Sequence, residues 1–438
     1  MKKLLVVANL YHASPRIPGI ATYLPEFGWE ATIVTPPLGS DAENRLGFPK
    51  RFLERTKIVE APYKGDIFWF WRKIFQLIGF KMNESITEQI KENVRVTSKK
   101  SFIDILMNWY QTFFAYPDTE KTWEKPALKS AYTVIEKEHF DAILSSSPFP
   151  TSHIVAAELK KKFSLPWLAD FRDLWTQNHN YSYNYVRKYF EKKLERKTLS
   201  ISDTIVVATP PLAKQQQYFL KKPAITITNG FDPENRPSNF PVILKDKFTI
   251  TYTGPVYIGK QDPEKLLAVI KKLILEKIIE PNRIEVRFYG PRIHWLDNKI
   301  IEYNLGTVVK QYGLISRYES IQRQRESHVL LLLNWEDPGI KGVYTVKFFE
   351  YLSAQRPILV TGGFLNGIEN LITETGASVC ASTIEKIENA LLNFYTEYKH
   401  TGKVLYRGNL KEINKYNYRE LAKKFTEILN QISDIKKL

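Results

Sequence analysis

Short apolar runs alternate with helix-patterned segments along this chain, and the series starts afresh midway. Few folds are open to a chain with that rhythm. In the first half, residues 4–8 read as a buried strand. A loop with Pro15, Pro18 and Gly19 follows, then a helix over 20–27, Gly28 and a strand over 31–35. Strands over 142–145, 167–170 and 204–208 continue the series, with helices over 151–162 and 185–199 between them. The second half repeats it with strands over 248–252, 284–289, 329–333 and 357–360 and a helix over 263–275. Strands that each feed a helix predict an α/β fold, in which parallel sheets are covered by helices on both faces. Ligands of such sheets gather at the carboxyl ends of the strands.

At 438 residues the chain exceeds one ordinary core. Two domains are expected, over 1–232 and 233–410, with a final helical stretch over 411–438 that returns to the first. Pro233, Pro237 and Pro241 mark a linker within 228–244. Residues 63–125 break the alternation as a helical insertion. The insertion's start, over 67–80, is apolar and aromatic but too short to span a bilayer. It reads either as a helix buried on the first domain or as one lying in a membrane interface.

The chain has 63 Lys and Arg against 47 Asp and Glu, a net charge of +16. That imbalance points to an anionic partner and leaves nucleotides, anionic lipid and nucleic acid open. Arg187-Lys188, Lys192-Lys193 and Arg196-Lys197, interleaved with Glu191 and Glu195, read as a solvated face or as a membrane-surface helix. No nucleic-acid motif accompanies them. Cys380 is the one cysteine, which excludes an intrachain disulfide and fits a reducing, cytoplasmic compartment. The apolar start is too short for a signal peptide and lacks a cleavage site, so a first strand explains it better. No apolar segment reaches the length of a membrane-spanning helix.

Several familiar patterns are missing from the sequence. There is no Asp-x-Asp pair, no zinc-like His spacing, no Walker loop, no Gly-x-Gly-x-x-Gly and no Gly-x-Ser-x-Gly. Anion binding then falls to helix starts, Lys and Arg. Residues 342–360 offer such a place: Gly342, a helix start at Tyr344 and Thr345, then Lys347, Glu350 and an apolar strand. Free N–H groups at a helix start attract phosphate oxygens, and Lys347 adds a point charge. Glu350 shares a helix face with Lys347 and can accept two hydrogen bonds from a ribose diol. A core helix with one solvated Lys–Glu pair fits the same residues.

Gly254 and Gly290 end two strands of this half, and Lys260, just before a helix, can face the same diphosphate. In the first half Asp170, Arg172 and Asp173 gather where a strand ends. They are placed to orient an acceptor hydroxyl or, equally, to cap the next helix as an ion pair. Arg16 and Gly19 lie in a loop whose following helix would aim N–H groups into the same crevice.

Arg16-Ile17-Pro18-Gly19, residues 27–35, residues 166–175 and Thr228-Asn229-Gly230-Phe231-Asp232, in that order, resemble the GT-B glycosyltransferases, and within them family 4. In the second half Gly254 and Lys260 match diphosphate contacts of that family, and Glu350 matches its ribose-binding Glu. Lys347 lies where related sequences can place a phosphate contact. Two positions depart: Pro255 stands where an Arg is usual, and Gly342 where a Glu often contacts the sugar. The resemblance implies two Rossmann-like domains facing a central cleft. It also implies retaining transfer from a nucleotide-diphosphate sugar, with no cofactor beyond that co-substrate and no metal on the protein.

The implied acceptor is a glycan or a lipid-linked acceptor, handled near Asp170, Arg172 and Asp173, in surface polysaccharide or glycolipid assembly at the inner face of the cell membrane. Two rival readings stand beside it. One is a nucleotide-sugar epimerase of the same fold, and the other a non-catalytic nucleotide-sugar or nucleic-acid binding protein.

Overall fold

The computed structural model describes residues 1–40, 42, 46–63, 65, 115–181, 183–235, 244–337, 342–363 and 367–434. Most of the insertion expected over 63–125 lies outside the described residues, as do residues 236–243 of the linker and residues 435–438.

Strands in the first half are β1 (Lys2–Val7), β2 (Trp29–Thr35), β3 (Thr56–Glu60), β4 (Ala142–Ser146), β5 (Trp167–Phe171), β6 (Thr204–Val207) and β7 (Ala224–Thr226). They form one sheet in the order β3-β2-β1-β4-β5-β6-β7. In the second half β8 (Phe248–Thr253), β9 (Ile284–Tyr289), β10 (Val309–Gly313), β11 (Val329–Leu333), β12 (Ile358–Thr361) and β13 (Ser378–Ala381) form another, in the order β10-β9-β8-β11-β12-β13. All these pairings are parallel.

Successive side chains of a strand point to opposite faces, and both faces here are covered. Leu4 and Val6 of β1 enter one core, and Leu5 and Val7 the other. β11 divides likewise, with Val329, Leu331 and Leu333 on one face and Leu330 and Leu332 on the opposite one. Central strands buried on both sides therefore read as continuous apolar runs. The four strands that the apolar runs do not reveal, β3, β7, β10 and β13, are the four sheet edges. Their residues are half covered, so polar side chains interrupt the runs.

The chain ends on the first sheet. Leu421, Phe425 and Leu429 of the Tyr418–Asp434 helix pack with Ile17 and Ile20. The single helix expected from residue 411 is instead two, Leu410–Asn414 and Tyr418–Asp434. At the break the Phe231 N–H donates to the Tyr416 carbonyl (3.1 Å), and the Tyr418 N–H donates to the Phe231 carbonyl (2.8 Å). Asn417 then caps the last helix by accepting from the Glu420 N–H at 2.9 Å.

Gly19 is a second correction. It lies inside a helix, Arg16–Tyr23, and its N–H is satisfied by the Pro15 carbonyl at 2.9 Å. It therefore offers nothing to a ligand. A Cβ there would sit 2.3 Å from the Tyr418 ring, so this glycine makes room for the returning helix.

The Tyr185–Leu199 helix is two-sided. Arg187, Glu191 and Glu195 are buried, with Arg187 Nε donating to Glu191 at 2.5 Å and Glu195 accepting from the Thr176 hydroxyl at 2.6 Å. The acids that interleave its basic pairs thus bind inward. Its outer face exposes Tyr185, Val186, Tyr189 and Phe190 beside Lys193, Arg196 and Lys197.

Candidate functional site

The Val346–Ala354 helix follows the carboxyl end of β11 in the second sheet, and its start carries no side-chain cap. Thr345 takes the cap position in extended conformation (φ −67°, ψ 142°), yet its side chain makes no capping hydrogen bond. The first N–H groups of a helix have no partner within it. Here they meet a pocket of about 160 Å³ walled by Gly342, Val343, Tyr344, Thr345 and Val346 on one side. Arg172, Asp173, Thr209 and Asn229, from the ends of the first sheet, wall the other.

Three polar atoms at this pocket are buried without a hydrogen-bond partner among the described residues: Arg172 Nε, Asn229 Oδ1 and Thr345 Oγ1. Such atoms are costly to leave unpaired, and their convergence marks a ligand site better than any one of them. Burial holds the Arg172 guanidinium below its usual range, against the opposing pull of Asp173.

Lys347 follows in the same first turn. Its Nζ lies 3.6 Å from the centroid of the Tyr252 ring. Burial pushes its pKa down to about 7, with Glu350 acting the other way. Gly254, at φ +107° where β8 ends, leaves the space that Lys347 fills, since a Cβ would lie 3.2 Å from Lys347 Cε. Gly290 has a packing role: a Cβ there would come within 2.3 Å of the Gly254 carbonyl oxygen. Tyr351 ties the helix to β8, its hydroxyl accepting from the Thr253 N–H at 3.0 Å. Tyr344 is buried, and its hydroxyl donates to the Gly367 carbonyl.

Glu350 does not pair with Lys347. Its Oε1 accepts from Arg317 Nη2 at 2.6 Å, a residue the sequence reading passed over. Burial works against the Arg317 charge, but Glu350, with Tyr418 and Asp232 behind it, raises the pKa. One signal was available: Arg317 opens a helix capped by Ser316, and a cation there opposes the helix dipole. A residue placed against its local preference is a residue held by something else.

Lys260 is drawn across the cleft, its Nζ donating to Asn180 Oδ1 at 2.8 Å and lying 5.1 Å from the Trp335 ring centroid. In the first half, the structure separates residues that the sequence had grouped. Arg16 and Asp170 are both fully buried and bind each other, Arg16 Nη2 donating to Asp170 Oδ1 at 2.8 Å. The Ser146 hydroxyl donates to Asp170, and the Ile227 and Thr228 carbonyls accept from Arg16. Both side chains are thereby turned away from the cleft, a correction to their expected place there. Arg172 and Asp173, past the end of β5, remain in it. Among the described residues, no group of three or more His, Cys, Asp or Glu could hold a metal ion.

No family model matches this chain, and no curated protein matches its sequence. Solved structures do match its shape. A glycosyltransferase from Rickettsia africae is 14% identical with a TM-score of 0.61, over 98% of each chain. Anabaena HepE in complex with UDP and glucose is 11% identical (TM-score 0.59), over 98% of this chain and all of that one. Sucrose-phosphate synthase from Thermosynechococcus elongatus is 10% identical (TM-score 0.59), over 99% of both. Likeness at such identity establishes architecture, and the architecture is the GT-B fold: two Rossmann-like α/β units with the candidate site between them.

Proposed function

We propose that this protein is a glycosyltransferase that moves a sugar from a nucleotide-diphosphate sugar to a glycan or lipid-linked acceptor, with retention of configuration. The observation that carries the reading is the cleft pocket, where an uncapped helix start meets the unpaired Arg172 Nε, Asn229 Oδ1 and Thr345 Oγ1. The neighbours' own ligands, UDP and glucose in HepE, are of the class that such a site would take.

In this reading the helix start and Lys347 hold the diphosphate. As the bond to the sugar breaks, negative charge grows on the leaving oxygen. Fixed donors placed where charge develops lower that barrier most. Arg172, Lys347 and the helix N–H groups supply the charge without a protein-bound metal, and no cofactor is needed beyond the co-substrate. Glu350, with Oε1 on Arg317, presents Oε2 to the ribose diol. Asp173, on the opposite wall, faces the acceptor.

The outer face of the Tyr185–Leu199 helix supports work at an anionic membrane surface, as in polysaccharide or glycolipid assembly. Exposed aromatics beside lysines suit an interface. Among the described residues no helix is long and apolar enough to cross a membrane.

The test is thermal unfolding with UDP, GDP, ADP and CDP. One of them should raise the unfolding temperature of the wild type and not that of Lys347→Ala. If none does so, the reading is wrong. Product analysis with donor alone then separates an epimerase, which would return an altered nucleotide sugar, from a transferase, which would release free sugar slowly.

A further inference from the structure

Lys260 meets a loop of the first half across the cleft, and the hydrogen bonds there have a fixed direction. Its Nζ donates to Asn180 Oδ1 at 2.8 Å. The other end of the same amide, Asn180 Nδ2, lies 2.9 Å from His179 Nε2. An ammonium has donors only, so it must meet the amide oxygen. The amide nitrogen is then left to donate, and His179 Nε2 can receive it only when it carries no proton. The chain from Lys260 through Asn180 to His179 therefore needs a neutral ring with its proton on Nδ1.

These contacts join segments that follow the carboxyl ends of three strands. His179 and Asn180 lie after β5, Lys260 after β8 and Trp335 after β11. The Trp335 indole gathers them. Lys260 Nζ is 5.1 Å from its ring centroid, the His179 ring meets it edge-on at 5.8 Å, and the Tyr257 ring stacks on it at 5.6 Å. The Glu336 N–H donates to the Lys260 carbonyl at 2.9 Å and ties the lysine to the Trp335 segment. On the other side Asn178 shapes a turn. Its Oδ1 accepts from the Asn180 N–H at 2.8 Å, and its carbonyl accepts from the Tyr181 N–H at 3.0 Å.

A proton on His179 breaks the chain. Nε2 becomes a donor and faces the donor Nδ2. Turning the amide over would give Oδ1 to the imidazolium but would set Nδ2 against the Lys260 ammonium. One of the two bonds is lost either way, and two cations then border the Trp335 ring. The charges that reach His179 are Asp173 from its own half and Lys260 and Asp337 from the second. Partial burial keeps the ring below the ordinary histidine value, with Lys260 acting the same way and the two carboxylates against it. The ring is thus neutral at pH 7 and gains its proton in acid.

We propose that residues 178–181 are a pH-sensitive strap across the cleft, fastened by the Lys260–Asn180–His179 chain and released when His179 gains a proton. The strap stands on these contacts and not on the transferase reading. It lies beside the pocket that Asp173 helps to wall, so the fastened form slows the exit of a ligand held there.

Hydrogen exchange read by mass spectrometry on the full chain tests the strap, at about pH 7.5 and about pH 5, on either side of histidine titration and with intrinsic rates divided out. Protection of the peptide holding Asn180 and Tyr181 should fall about fivefold in acid, the worth of one ordinary hydrogen bond. His179→Gln offers an acceptor that does not titrate, so its protection should be the same at both pH values. Asn180→Ala should show the lower protection at both. Nitrogen-15 NMR of histidine-labelled protein should find the His179 proton on Nδ1 at neutral pH. The strap is overturned if wild-type protection does not respond to acid, or if His179→Gln responds as the wild type does. It is equally overturned if Asn180→Ala is as protected as the wild type at neutral pH, or if Nε2 carries the proton there.

Release of UDP, followed by stopped flow, should quicken about fivefold in Asn180→Ala. An unchanged rate would overturn the strap's hold on the cleft. Failure of UDP to bind at all would count against the transferase reading, and hydrogen exchange would still decide the strap.

Discussion

The Thr209 hydroxyl donates to the Gly342 carbonyl at 2.8 Å, joining the segment after β6 to the segment ahead of the Val346–Ala354 helix. This bond crosses the cleft between the two sheets, and the glycine permits it. Gly342 has φ +77°, and a Cβ there would sit 2.7 Å from Pro211 Cβ. The absence of a side chain lets the two walls meet beside the site.

Gly342→Ala should therefore disturb this contact between the two walls more than nucleotide binding. The left-handed conformation alone costs a non-glycine residue about 1–2 kcal/mol, and Pro211 must also move. We expect kcat to fall about tenfold or more while nucleotide affinity changes little. Steady-state kinetics with calorimetry checks this, and an unaltered kcat would show that the contact has no part in turnover.

With its pKa pushed down to about 7 by burial, Lys347 should make nucleotide binding pH-dependent in one direction. The protonated form binds the diphosphate, so affinity should fall as pH rises from 7 to 9, by up to about tenfold per unit. Lys347→Met should flatten that dependence. Stability of the free protein should run the other way. An unfolded Lys keeps its proton to about 10.4, so between pH 7 and 10 the unfolded state binds more protons and stability rises with pH. Urea titrations of wild type and Lys347→Met across that window would measure the difference.

Glu350→Ala removes the Oε2 acceptor from the proposed ribose site and leaves Arg317 without its partner. Charge-assisted hydrogen bonds of this kind are worth about 1.5–3 kcal/mol, so nucleotide affinity should fall about ten- to a hundredfold. Arg317→Ala should act in the same direction by loosening the Glu350 carboxylate. Unchanged affinity in Glu350→Ala would remove it from the site.

Arg16→Met strands the Asp170 carboxylate in the core. Breaking one side of a buried pair costs about 3–5 kcal/mol, which thermal unfolding would register as a large drop. Gly19→Ala should also destabilise, by about 1–3 kcal/mol, through its clash with Tyr418. Neither should change nucleotide affinity in protein that remains folded.

Asp173→Ala makes the opposite separation. Asp173 lines the cleft and is not part of the buried pair. Transfer should fall while nucleotide affinity and unfolding temperature stay close to the wild type, and a parallel loss of donor affinity would move Asp173 to the donor side.

The sequence alone determined the alternation of strands and helices, the central strands of both sheets and the segment that starts at Gly342. Those features are local: a strand buried on both faces must be apolar throughout, and a helix start presents its N–H groups whatever surrounds it. Edge strands escaped because half-covered residues can be polar.

Which charges face the cleft was decided only in three dimensions. Asp170 and Asp173 are three residues apart and look alike in sequence, yet Asp170 lies within β5 and meets Arg16, 154 residues away, in the core. Asp173 lies past the strand end and is released to the cleft. Arg317 reaches Glu350 over a separation of 33 residues, and Thr209 reaches Gly342 over 133. Partners that distant leave no periodic trace in the chain, because their pairing depends on how the two sheets pack rather than on any local preference.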